Sequence, residues 1–356
     1  MAPRRFLLDE GCAARAVHPE DEPVRVSRPD GPARPGRRRC LGRLGVFGAL
    51  GTLGAWSATS LVSSGLALPR AAIAAGRASD RTPRIVSLSW AGAQILVSLG
   101  VVPLGIADRA NYPLTGALPA MPADVLELGT HSEPNLELLQ RIKPDLIVID
   151  TNQLDLDTRL RSIAPTFTID IYNAQKGKPF ARAVAETQRV AALLGRQDAA
   201  RSYLAEVDAR LAACAATVST LGTSPRVLIV DLYDDGRHLY LYGPNSMMQD
   251  TMDRLGVRNA WSGSTDSGYL LSGIEGLAEM GDAQMYYISH GVRDRIALHN
   301  LSRSALWQNL PFVRTQSFVP LPGFFTYGST SCAVQFAEAL TAGMVALDGK
   351  KGHARG

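Results

Sequence analysis

Beyond residue 74 the side chains best suited to bind, donate or ligate are five histidines, His131, His238, His290, His299 and His353. Imidazole donates protons, accepts them and ligates metals, and an unperturbed pKa of about 6.5 sets these roles near neutral pH. His131 in "LGTHSEPN" and His290 in "YISHGV" each follow a predicted strand end, one in each half of the chain. Loops that leave the carboxyl ends of strands in open α/β sheets are where ligands bind, so both are candidates for a cleft. A transition-metal site needs three or four N, O or S ligands, and no spaced third ligand accompanies these two. Direct capture of Zn²⁺, Mn²⁺ or a ferric ion by His131 and His290 is therefore the alternative reading. Aromatic residues recur at the same kind of location: Trp90, Tyr112, Tyr233, Tyr269 and the run Phe324-Phe325-Thr326-Tyr327. Singly each is explained by core packing. Jointly they describe an aromatic-walled cleft, suited to a bulky, partly apolar ligand rather than a bare ion.

Catalytic arrangements are missing from the sequence. There is no H-E-x-x-H, P-loop, G-x-S-x-G or C-x-x-C, and no G-x-G-x-x-G after a strand. A binding protein without a cofactor of its own is expected, with an enzyme acting on a ligand in the same cleft as the reading from another class.

The elements that position these residues alternate. "RIVSL", "WAGAQILVSLG" and "VPLGIAD" read as strand, helix and strand, followed by a strand at Val125 to Leu128, a helix N-capped by Ser132 with Pro134 in its first turn, and the buried strand Leu146 to Ile149. A short strand at "TFTID" completes the first half. From Pro179 to Gly195 a helix carries Phe180, Val184, Thr187, Ala191 and Leu194 on one face, and a second helix runs from Asp198 to about Leu221. Alternation resumes with "RVLIVDLY", "HLYLYG", a helix from Ser246 to Leu255, "QMYYIS", "SFVPLP" and a last helix from Gly328. The fold class is therefore α/β: two lobes, each with its own core, joined by a long helix, with a cleft between them, and one continuous large α/β domain as the alternative. The boundaries fall at 80–176 for the first lobe, 177–196 for the connecting helix and 197–356 for the second lobe.

The first 74 residues differ in kind. Arg37-Arg38-Arg39 precedes an uncharged Gly-, Ala-, Leu- and Ser-rich stretch from Leu44 to Leu68, and Ala72-Ile73-Ala74 offers a cleavage site. This reads as a cleavable export signal with an N-terminal extension, of twin-arginine character, with an uncleaved anchor as the alternative. The chain has 37 basic and 33 acidic residues, of which 11 and 6 lie in this segment, leaving 26 and 27. The remainder is near neutral, and no basic patch supports nucleic-acid binding. Cys214 and Cys332 lie in predicted helices, as a bridge or as two buried thiols.

"THSEPNLELLQRIKPDLIV", "LYGPNSMMQDTMDRLGVRNAW", "SALWQNLPFV" and "FFTYGSTSCAVQF" resemble the periplasmic ferric hydroxamate siderophore-binding proteins that feed ABC importers, the ferrichrome-binding group in particular, from about Ile85 to Met344. "GPNSxxQ…NAW" marks this group, and "EPNLELLxxxKPDL" the wider superfamily of class III periplasmic binding proteins, which also includes cobalamin, haem and metal-ion binders. The resemblance implies two Rossmann-like lobes joined by a rigid helix from Pro179 to Gly195, a shallow ligand cleft between them that closes slightly, and a monomeric carrier that grips an iron(III) chelate through aromatic walls and a few donors. Trp90 matches a family cleft tryptophan, Phe325 stands where relatives have tryptophan, Tyr327 matches a tyrosine, and Tyr269 falls near another aromatic position. His131 replaces the family's chelate-gripping arginine, and Gln153 stands about where relatives have tyrosine. An arginine fork donates at every relevant pH, whereas a histidine is a partial donor near neutrality and a stronger one in acid. The resemblance also implies docking of an inner-membrane permease through Glu137 and Glu275, one on each lobe.

Overall fold

The computed structural model describes residues 83–221 and 225–353. The expected export signal lies outside the described residues. The first lobe comprises β1 (Ile85–Ser87), α1 (Trp90–Ser98), β2 (Gly105–Ile106), β3 (Leu126–Glu127), α2 (Leu136–Ile142), β4 (Leu146–Asp150), α3 (Asp157–Arg161) and β5 (Thr166–Ile169). Its five strands are all parallel, in the order β3-β2-β1-β4-β5. Aliphatic strands covered on both faces suit this arrangement, and Ile147, Val148 and Ile149 at the sheet centre are at most 1% exposed.

Two helices follow, α4 (Pro179–Leu194) and α5 (Gln197–Ser219). Pro179 occupies the first helical turn of α4, where its missing N–H costs nothing, and Gly195 ends the helix at φ 67°. The second lobe comprises β6 (Arg226–Leu232), β7 (His238–Tyr242), α6 (Met247–Leu255), β8 (Arg258–Asn259), β9 (Tyr269–Gly273), β10 (Gln284–Ile288), α7 (Val292–Ser302), α8 (Ala305–Asn309), α9 (Pro311–Arg314), β11 (Phe318–Leu321) and α10 (Thr330–His353). Its sheet is mixed, in the order β11-β10-β6-β7-β9, with β7 antiparallel to both neighbours and β8 pairing with β6.

The expected pair of separate cores is corrected by the packing. One buried cluster runs from Ile85, Ile95 and Val148 through Phe180, Ala183 and Val190 of α4 to Val227, Met252, Tyr286 and Phe336. Helices α4, α5 and α10 present buried apolar residues to this shared core, so the lobes share their largest apolar contact; smaller clusters lie on the outer face of each sheet. Buried apolar surface is the main favourable term in folding, and a core common to both lobes couples their stability. Helix α10 is long and apolar enough to span a bilayer, yet most of that stretch is buried within the protein. Cys214 and Cys332 are both free and buried, and burial pushes the Cys332 thiol up to about 12.

Candidate functional site

Trp90 begins α1 immediately after β1. Ser89 caps that helix by accepting from the Gly92 N–H at 3.3 Å, which sets the indole at the carboxyl end of the sheet. Its Nε1 donates to Ala107 O at 2.7 Å, and the indole is the hub of a ring cluster. Tyr112, His131 and Phe325 lie around it with centroids 5.3, 5.1 and 4.9 Å away, all near edge-to-face, the geometry that aligns positive ring edges with negative faces. Phe325 comes from the second lobe, in the loop between β11 and α10. Two residues on, Tyr327 faces the other way, with Tyr172 at 5.0 Å and Tyr269 at 6.3 Å. Tyr269 continues to Tyr240 at 4.7 Å, and Tyr240 to Tyr233 at 5.2 Å. The loop 322–329 thus joins two aromatic groups, each of which draws rings from both lobes.

That loop is tied to the first lobe. Ser329 N donates to Gln94 Oε1 at 2.7 Å, and the Tyr172 hydroxyl donates to Gly328 O at 2.6 Å. At the start of α10, Gln335 Nε2 donates to Gly116 O at 2.9 Å, its Oε1 accepts from Leu118 N at 3.1 Å, and Ser331 Oγ donates to Leu118 O at 2.9 Å. Gly116 and Gly323 bring backbone against backbone: a Cβ on Gly116 would sit 2.1 Å from Gly323 O. Only glycine permits that approach at a φ of 70°.

His131 sits in a loop held from several sides. Gly129 and Pro134 form an isolated antiparallel bridge, and Asn135 N donates to Leu128 O at 2.7 Å. The helix therefore starts at Leu136, with Asn135 and not Ser132 as N-cap, its side chain accepting from Leu138 N at 2.9 Å. Asp108, unremarked in the sequence, accepts from the His131 backbone N–H at 2.8 Å and makes a short hydrogen bond to His131 Nδ1. Burial alone would raise the Asp108 carboxyl; the hydrogen bonds and charge of His131 outweigh it and hold the group below the usual range. Nearby Asp150 is pushed up by burial, tempered by the Asn152 N–H and His131.

Two of the residues expected at the ligand are buried and hydrogen-bonded within the protein. Gln153 is 3% exposed: its Nε2 donates to Leu88 O and His131 O, and its Oε1 accepts from Asp150 N at 3.1 Å. With both ends of the amide bonded, it braces the His131 loop. Tyr112 is 1% exposed, donates to Pro119 O at 2.8 Å and backs Trp90. Trp90, Tyr112, His131, Tyr233, Tyr269, Phe325 and Tyr327 are the expected residues that the fold brings to the two aromatic groups.

His290 follows β10 as expected, and its Nε2 bonds Asp231 Oδ2 at 3.0 Å. Burial would lower the imidazole pKa; the Asp231 hydrogen bond and charge win and raise it. Each lobe therefore carries a histidine already engaged by a carboxylate. Among the described residues no three His, Cys, Asp or Glu side chains gather as a metal site. Glu137 and Glu275 are both exposed, each in the first turn of its helix.

Residues 85–323 match the family model described as periplasmic binding protein. The chain belongs to that family. Among family relatives, the iron(3+)-hydroxamate-binding protein FhuD of Escherichia coli (strain K12) is 35% identical over 260 residues, covering 72% of this chain and 85% of that one. The achromobactin-binding periplasmic protein of Dickeya dadantii (strain 3937) is 26% identical over 240 residues, 64% of this chain and 74% of that one. Among solved structures, the Fe³⁺–Desferal-bound FhuD from Vibrio cholerae aligns with a TM-score of 0.67 at 23% identity, over 75% of this chain and 99% of that one. The triscatecholate-binding FeuA from Bacillus subtilis, complexed with ferri-bacillibactin, aligns at 0.61 and 17% identity, over 75% and 94%. Solved structures that share this fold thus hold chemically different chelates.

Proposed function

We propose that this periplasmic binding protein captures an iron(III)–siderophore complex of the hydroxamate type and delivers it to an ABC transporter permease. The reading is carried by the 35% identity to the hydroxamate-binding relative over 85% of that protein. The geometry is compatible: Trp90 and Phe325 form one wall, Tyr269 and Tyr327 the other, and His131 offers one free ring nitrogen at the edge. A chelate brings its own oxygen ligands to iron, so the protein binds organic surface and a few polar atoms without ligating the metal. In this reading His131 stands for the relatives' arginine, Glu137 and Glu275 meet basic residues of the permease, and a cleavable signal in residues 1–74 sends a monomeric carrier to the periplasm. The lobes are residues 80–176 and 197–356, with 177–196 as connecting helix.

Titration of the leader-free protein with a panel of ferric siderophores, and with Zn²⁺ and Mn²⁺, tests the proposal by tryptophan fluorescence and calorimetry. The expected result is tight binding of a ferric trihydroxamate, a fluorescence change lost in Trp90→Phe, and no binding of the bare ions. Tight binding of Zn²⁺ or Mn²⁺ in place of the chelate would move the function to direct metal capture.

A further inference from the structure

The loop around His131 is organised on Asp108. This residue lies just past β2 at φ 48°, a left-handed conformation that aspartate tolerates better than most residues, and its N–H donates to Gly129 O at 2.8 Å. Its Oδ2 accepts from both the His131 backbone N–H and Nδ1. The His131 carbonyl accepts from Gln153 Nε2 at 3.0 Å, and the ring stands edge-on to Trp90. Every polar atom of His131 except Nε2 is thereby engaged, while its side chain remains 37% exposed. A carboxylate at Nδ1 keeps a proton on that nitrogen. In the neutral ring Nε2 then holds the lone pair and accepts; only a ring with two protons donates from Nε2.

We infer that Asp108 is a positioning residue for the ligand, holding the His131 backbone N–H and Nδ1 so that Nε2 faces the cleft and meets the chelate. This rests on the siderophore reading above. The charged groups around the ring are few. Asp150 stands at the end of β4. The Glu127 carboxylate on β3 is taken by the N–H groups of Gly129 and Ala110. Glu133 is exposed on the same loop, and Arg109 turns its Nη2 to the carbonyls of Pro122 and Ala123. The facing loop 322–329 carries no charge. Asp108 is therefore the carboxylate in direct contact with the imidazole, and Asp150 adds the same sign from farther away.

Asp108→Asn keeps an acceptor oxygen of the same reach and removes the charge. Affinity for a ferric trihydroxamate is measured by calorimetry for the wild type and the variant. The variant should lose on the order of tenfold, the scale of one charge-assisted hydrogen bond. In a His131→Ala background the same change should have little effect, and ¹⁵N NMR of the unliganded wild type should show the proton on Nδ1. A neutral ring protonated on Nε2 overturns the inference, as does unchanged binding by Asp108→Asn. So does a loss that persists without His131, which would make Asp108 a structural support only. A wild type that binds no ferric chelate sinks the siderophore reading instead, and the NMR result still decides on the Asp108–His131 pair.

Discussion

Replacing Gly116 with alanine tests whether bare-backbone contact between the lobes sets the cleft. Two costs apply. The left-handed backbone at φ 70° costs an L-residue about 1–2 kcal/mol. The new methyl would also stand 2.1 Å from Gly323 O and 2.8 Å from its carbonyl carbon, and relieving such overpacking costs about 1–3 kcal/mol. Gly100 separates the two, because it has φ 74° with nothing within 4 Å of its would-be Cβ. Gly100→Ala should therefore lose only the backbone part, and Gly116→Ala roughly 2 kcal/mol more, from the overpacking range. Urea unfolding at fixed pH measures both, with the midpoint as readout if the slope is unchanged. Because Gly323 leads directly into Phe324-Phe325-Thr326-Tyr327, Gly116→Ala should also weaken chelate binding, which Gly100→Ala should leave intact. Equal destabilisation by the two, or full affinity in Gly116→Ala, refutes the idea that this contact places the loop.

Tyr172→Phe removes the hydroxyl that donates to Gly328 O and strands that carbonyl, so unfolding free energy should fall by about 1–2 kcal/mol, measured by urea. His290 is held above its ordinary value when folded, so its pairing with Asp231 contributes fully in acid and is lost as pH rises through the folded value. Stability should decline above about pH 6.5 in the wild type, and this part of the dependence should vanish in Asp231→Asn, followed by thermal melts across pH. Reversing Glu137 and Glu275 to lysine should leave calorimetric chelate affinity unchanged while abolishing uptake in cells, since both are exposed at helix starts away from the aromatic groups.

Much of the fold is legible in the sequence where burial is two-sided. Leu146 to Ile149 reads as a strand because four aliphatics in a row fit only a covered sheet, and β6 and β10 announce themselves the same way. "VPLGIAD" reads too long: only Gly105–Ile106 pairs, since Pro103 has no N–H to give to a ladder. Strand β9 passes unnoticed because it is an edge strand with exposed Leu270 and Leu271, so no burial pattern marks it. Helix α7 is equally hidden, its Arg293, Asp294 and Arg295 breaking any apolar stripe. In the site, Trp90 and Tyr327 follow from resemblance, and the alternation in "HLYLY" places Tyr240 and Tyr242 on one face. Asp108 does not follow, because its partner lies 23 residues away and only β2–β3 pairing brings the two loops together. Gln153 and Tyr112 are the converse: residue types that suit a ligand, spent on bracing the loop and ring behind it.

The ties from Gln94, Gly116, Leu118 and Tyr172 to the segment 323–335 also bear on the timing of capture and release. Each hydrogen bond contributes about 1 kcal/mol net, so parting the lobes requires several such losses at once, together with exposure of the shared core. A free molecule then spends nearly all its time with the cleft already shaped. Arrival of a ligand is governed by diffusion and fit, with no slow closing step to wait for, and departure by the same path leaves the seam intact, so residence time is set by the contacts in the cleft.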